Sequence, residues 1–130
     1  MHKIISIIII TLLMMSCSST NTSPYLTSEP IISPKKLDTY WLSTNNIQPL
    51  KYMSLSQRKA LSGSTVIIKA EYLIDSNGNV FDVEILESNV GTSFSSLVAK
   101  SLQSRAFSPS SINTNRQPVV TQSLLTFVCD

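Results

Sequence analysis

Val66, Ile68, Ala70, Tyr72 and Ile74 occupy alternate positions, the period of a strand with one buried face. Asp75-Ser76-Asn77-Gly78-Asn79 follows, and the Asn-Gly pair predicts a tight hairpin turn at Asn77 and Gly78. Both residues tolerate positive φ, so the expected turn is type I′. Val80 to Glu87 then returns as a second strand. Val80 and Val83 share its buried face at an odd spacing, which predicts a bulge near Phe81-Asp82. A hairpin alone is marginally stable in water and needs cover on one face. The segment from Thr92 to Arg105 supplies it, with Phe94, Leu97, Val98 and Leu102 spaced as one apolar helical stripe and Thr92 or Ser93 able to cap its start. A shorter helix is expected at Ser54 to Gly63, where Ser54 and Gln57 match a capping box and Gly63 suits the left-handed C-terminal position. Phe107-Ser108-Pro109 leads the chain off the long helix. A polar loop from Ser110 to Gln117 precedes a third strand, Val119 to Cys129. Its apolar pairs fall on both faces, so the pattern leaves the inward face of this strand undecided. The fold class is α+β: a small two-layer domain, with a three-stranded antiparallel sheet packed against one long and one short helix.

The first half of the chain reads differently. Met1-His2-Lys3 is followed by an apolar run from Ile4 to Met15. Twelve residues make a helix about 18 Å long against a hydrocarbon core of roughly 30 Å, which fits a signal-peptide core better than a membrane span. A retained anchor is the competing reading. Leu13-Met14-Met15-Ser16-Cys17 resembles the lipobox of bacterial lipoproteins. That resemblance implies cleavage before Cys17 and lipidation of Cys17, and several acyl chains would hold the protein firmly to a bilayer. A plain secretory leader with an incidental cysteine is the alternative. Residues 17–50 carry Ser, Thr and prolines that include Pro24, Pro30 and Pro34, without sustained periodicity, and are expected to be a flexible linker. Its 32 residues from Ser18 to Pro49 would reach at most about 110 Å. Tyr40-Trp41-Leu42 stands out within it, either as an aromatic segment docking on the domain edge or as a partner-binding peptide. The expected organisation is therefore residues 1–16 signal peptide, 17–50 linker and 51–130 folded domain. A domain of that size buries about 60% of its unfolded surface, enough to fold alone with modest stability.

Charge narrows the function. The formal net charge is +2, and removing a leader with Lys3 leaves nine basic and eight acidic residues. That is no footprint for nucleic acid, and the one basic cluster, Lys35-Lys36, reads as solvated. The single histidine lies in the leader, which leaves no Ser-His-Asp or Cys-His arrangement in a mature chain. Asp75, Asn77 and Asn79 resemble the start of a calcium loop, but Gly78 is misplaced and Leu86 stands where a bidentate Glu is required. No catalytic residue, metal site or cofactor is expected, and an enzyme is not. Cys129 would be a lone thiol, read as an incidental buried cysteine or as an intermolecular disulfide partner.

The order of strand, Asp-Ser-Asn-Gly-Asn turn, strand, helix, Phe-Ser-Pro, loop and strand resembles the C-terminal domain of TonB-family proteins. Tyr72-Leu73-Ile74-Asp75, Asn77-Gly78-Asn79-Val80, Asp82-Val83, Ile85, Phe107-Ser108-Pro109 and Pro118-Val119 carry the resemblance, which covers Lys51 to Asp130. Two departures stand out. Arg105 and Ala106 occupy places where the family usually has an aromatic-basic pair. His2 also precedes Ser6 outside any span, whereas energy-transducing members carry Ser before His in a membrane helix followed by a long Pro-rich spacer. The resemblance therefore implies the binding domain more than the motor coupling. Family members use such a sheet on the plug segment of outer-membrane receptors, by edge-strand addition. Carried to this chain, that implies a lipid-anchored periplasmic module whose partner is a peptide segment of an envelope or outer-membrane protein. Ser18, not Asp, follows the lipobox, which resembles the outer-membrane sorting class. The expected partner-binding edge is the last strand, with Val119, Thr121, Ser123, Leu125 and Phe127 as its site residues. The alternatives are a structural envelope lipoprotein, self-association as a homodimer included, and an energy transducer with an uncleaved anchor.

Overall fold

The computed structural model describes residues 23–130. The signal-peptide segment, Cys17 and the His2–Ser6 pair lie outside the described residues. Six strands and two α-helices follow in the order β1 (Ile31–Ile32), β2 (Trp41–Ser43), α1 (Leu55–Leu61), β3 (Thr65–Ile74), β4 (Val80–Ser88), α2 (Thr92–Gln103), β5 (Phe107–Pro109) and β6 (Val119–Val128), with single 3-10 turns at Leu37–Thr39 and Pro49–Tyr52.

The main sheet has the order β1-β6-β3-β4. β3 lies between β4 and β6 and runs antiparallel to both, which is the expected three-stranded antiparallel sheet. The fourth strand is new. β1 comes from the segment expected to be linker and pairs parallel with β6, Ile31 opposite Val119 and Ile32 opposite Val120. β2 and β5 form a separate antiparallel pair.

The core sits on one face of the main sheet. Val66, Ile68, Ala70, Tyr72 and Ile74 of β3 are all fully buried, as their alternation requires. Phe94, Val98 and Leu102 of α2 are buried in the same cluster. Burying side chains of this size contributes about 1.5–3 kcal/mol each. On α1, Ser54 Oγ accepts from the Gln57 N–H and the Ser54 N–H donates to Gln57 Oε1 at 2.9 Å, so the capping box is complete, and Gly63 takes φ of 76° just beyond the helix. α2 departs from expectation at its start. Its N-cap is Gly91, and neither Thr92 nor Ser93 caps it.

The turn also differs in type. The Gly78 N–H donates to Asp75 O at 2.9 Å and the Asp75 N–H to Asn79 O at 3.0 Å. Gly78 has φ of 82°, while Asn77 is not among the positive-φ residues. This is a three-residue hairpin loop, a β-turn followed by one left-handed residue, and not the type I′ pair. The buried Asp75 carboxylate selects it, accepting from the N–H groups of Asn77 and Asn79 at Oδ1 and from the Tyr25 N–H at Oδ2. Those three bonds tie the carboxylate into the turn and to the Tyr25 backbone. The bulge falls where the sequence placed it: the β3–β4 register shifts between Glu71 and Leu73, and Asp82 adopts φ of 51°.

Residues 23–50 are the largest departure. The stretch expected to be flexible linker is bound to the domain. Trp41 is 1% exposed and its indole N–H donates to Gln117 O at 2.8 Å. Ordering the segment costs about 1–2 kcal/mol of backbone entropy per residue, and burial of Trp41 offsets it only together with the pairing of β1 on β6 and of β2 on β5. Of the two readings of Tyr40-Trp41-Leu42, docking on the domain is the one the fold bears out.

Candidate functional site

β6 is paired along its whole length with β3, Val119 opposite Ile74 through Val128 opposite Thr65. On its other side, among the described residues, only β1 is present, and only at Val119 and Val120. Antiparallel strands alternate, so each residue turns its N–H and C=O either toward one neighbour or toward the other. Two bonds fix the phase. The Ser33 N–H donates to Val120 O at 2.8 Å, on the β1 side, and the Cys129 N–H donates to Ser64 O at 3.1 Å, on the β3 side. Even-numbered residues therefore face outward. Beyond Ser33 the backbone groups of Gln122, Leu124, Thr126 and Val128 line an edge that nothing among the described residues pairs with.

The five residues expected to form the binding edge, Val119, Thr121, Ser123, Leu125 and Phe127, are the other set. Their backbone groups turn to β3, and their side chains lie on the core face opposite Ile74, Tyr72, Ala70, Ile68 and Val66. Val119 and Thr121 are buried, and Ser123, Leu125 and Phe127 are half-buried. Ser123 Oγ is hydrogen-bonded to Tyr72 Oη at 2.9 Å. The residues of this strand whose main-chain groups face outward are their neighbours. Alternation could reveal the two sets, but only the register against β3 says which set faces which way. Val119 and Val120 are removed from the edge by β1, which comes from the expected linker.

The two ends of the sheet are built differently. β4 is the opposite edge strand. Its register against β3 slips twice, between Lys69 and Ala70 and between Glu71 and Leu73, and it carries Asp82, Glu84 and Glu87. Where β4 ends, Asn89 takes its place: its Oδ1 accepts from the Ile67 N–H at 2.8 Å and its Nδ2 donates to Thr65 O at 2.9 Å. Bulges and charges are how proteins keep an edge from adding strands. β6 has neither; from Val119 to Val128 it contains no charged residue and pairs without a register shift. Its outer sheet face carries exposed apolar side chains, Leu124 69%, Val128 65%, Ile67 45% and Ile32 of β1 68%, among the polar Gln122 and Thr126.

Asn77 and Gly78 have a structural task. The Phe107 N–H donates to Gly78 O at 2.9 Å, and a Cβ on Gly78 would collide with the Phe107 carbonyl and touch the Trp41 ring. The hairpin tip is thus packed against β5 and β2, away from the open edge. Arg105, one of the departures from the TonB pattern, lies with its guanidinium 5.0 Å from the Phe107 ring centre and donates to Ser43 Oγ at 3.0 Å. Cys129 is 4% exposed, which fits the incidental buried cysteine and leaves its thiol out of reach of a second chain.

No family model matches the sequence, and no curated protein matches it. Among solved structures, the chain is similar in fold to the solution NMR structure of the Pseudomonas aeruginosa TonB C-terminal domain, with 20% sequence identity and a TM-score of 0.48, over 75% of this chain and 91% of that one.

Proposed function

We propose that this protein is a membrane-tethered periplasmic protein-binding module of the TonB type. Cys17 carries the lipid anchor, the outer membrane is the favoured location, and an extended peptide segment of an envelope or outer-membrane protein adds to the sheet as a further strand. The observation that supports this best is the contrast between the two sheet edges. β4 is bulged and charged, Asn89 closes the end beyond it, and β6 is straight, uncharged and open from Gln122 to Val128. An unprotected edge is a liability for a soluble domain unless a strand is meant to occupy it. Main-chain bonds from Gln122, Leu124, Thr126 and Val128 give affinity, and the exposed Leu124 and Val128 side chains favour apolar residues at alternate positions of the incoming strand. The sequence resemblance to TonB C-terminal domains points the same way.

Affinity capture of envelope proteins on residues 23–130, compared with the Thr126→Pro variant, tests the reading. Retention of a protein by the parent domain and its loss with the variant are expected. Equal retention by both would contradict edge addition, and retention of the chain itself alone would favour the structural lipoprotein that self-associates.

A further inference from the structure

The stretch ahead of the domain is bonded to it from Tyr25 onward. The Tyr25 N–H donates to Asp75 Oδ2 at 3.0 Å and the Ser76 N–H donates to Tyr25 O at 2.8 Å. The Thr27 N–H donates to Ser76 Oγ at 3.0 Å, Gln117 Nε2 donates to Glu29 O at 2.7 Å, and Ile31 and Ser33 then bond to β6. Tyr25 is therefore fixed at the β3–β4 turn. β6 begins at that same end, with Val119 opposite Ile74, and runs away from it until Val128 stands opposite Thr65.

From this geometry we infer that residues 25–33 are a fixed mount: in the anchored protein they hold the β3–β4 turn toward the membrane, aim the open edge of β6 away from it, and restrict the strand it takes up to a segment of a protein seated in the same membrane. The inference rests on Cys17 as the anchor and on edge addition as the binding mode. Eight residue steps separate Cys17 from Tyr25, which is bonded to the domain. A stretch of that length reaches at most about 28 Å. A spacer running to Pro49 would instead reach about 110 Å. β6 adds about 30 Å along its length. The farthest open position, Val128, thus stays within about 60 Å of the anchoring sulfur. A partner from the same membrane meets the edge there, while one from elsewhere must bridge the rest of the distance itself.

Two measurements test the mount. In the first, the chain from Cys17 to Asp130 is joined at Cys17 to a maleimide phospholipid, with Cys129 buried and unreactive, and placed in nanodiscs carrying gadolinium-chelated headgroups. Amide signals of Ser76 and Asn77 are expected to broaden several-fold more than those of Ser64 and Cys129. Equal broadening at both ends, or the reverse order, overturns the mount. The double variant Thr27→Pro, Ile31→Pro removes two of the anchoring N–H donors and is expected to level the gradient; a gradient that survives overturns the mount as its cause. Neither result involves a partner, so a failure here is distinct from a failure of edge addition. In the second, a photocrosslinking residue replaces Thr126 in cells. Adducts to proteins of the membrane that holds the chain are expected. Adducts to proteins of the opposite membrane overturn the mount, and no adduct from a folded chain overturns edge addition.

Discussion

Proline placed at Ser123 and at Thr126 should have opposite consequences, although the two positions are three residues apart in one strand. Ser123 turns its N–H to β3, opposite Ala70. Proline there removes a ladder bond and leaves a buried carbonyl unpaired, at a cost of about 1–3 kcal/mol. It also removes the Oγ partner of the Tyr72 hydroxyl, whose residue is fully buried, for about 1–3 kcal/mol more. The sum, roughly 2–6 kcal/mol, is a large part of the 5–15 kcal/mol typical of a domain. Thr126 points its N–H outward, where the described residues offer no acceptor, and edge positions of this kind tolerate proline. Its cost should stay within about 1.5 kcal/mol, the value of one ordinary hydrogen bond. Urea unfolding followed by the fluorescence of Trp41, the single tryptophan, measures both. Ser123→Pro is expected to lose most of the folded baseline, while Thr126→Pro keeps its midpoint near the parent value and loses partner binding. Comparable destabilisation by both would refute the assignment of inward and outward residues in β6.

Other expectations follow from the same contacts. Gly78→Ala combines a strained left-handed backbone with a collision at the Phe107 carbonyl and should cost about 2–4 kcal/mol in the same unfolding assay. Trp41→Ala should cost about 3–5 kcal/mol, and a fragment of residues 51–130, which lacks Trp41 and β1, should melt well below residues 23–130 by calorimetry; equal melting would mean that the docked segment contributes nothing. Cys129, 4% exposed, should resist a thiol reagent in the folded state and react at the rate of unfolding.

How far the sequence carried depends on the range of each signal. The Ser54–Gln57 capping box, the β3 alternation, the hairpin, the bulge at Asp82 and the apolar stripe of α2 are all local, and each was legible from adjacent residues. β1, β2 and β5 are two or three residues long, too short for any period to show, and they exist because distant segments meet. Trp41 reads as an isolated aromatic until Gln117 and Gly78 surround it. In β6 the pairs Leu124-Leu125 and Phe127-Val128 place apolar residues on both faces. One face packs on the core beside Ile68 and Val66 and the other stays exposed, so no hydropathy pattern could name the inward set. The expected edge residues accordingly fell on the set whose main-chain groups face β3, and the outward-facing set is Gln122, Leu124, Thr126 and Val128.

Amide hydrogen exchange along β6 tests the central claim most directly, because it reads each N–H separately. In the free chain, Gln122, Leu124, Thr126 and Val128 should exchange fast while Thr121, Ser123, Leu125 and Phe127 exchange slowly, and the fast set should become protected when a partner strand is bound. Uniform protection along β6 in the free chain, or a partner that binds without slowing the four outward amides, would contradict it.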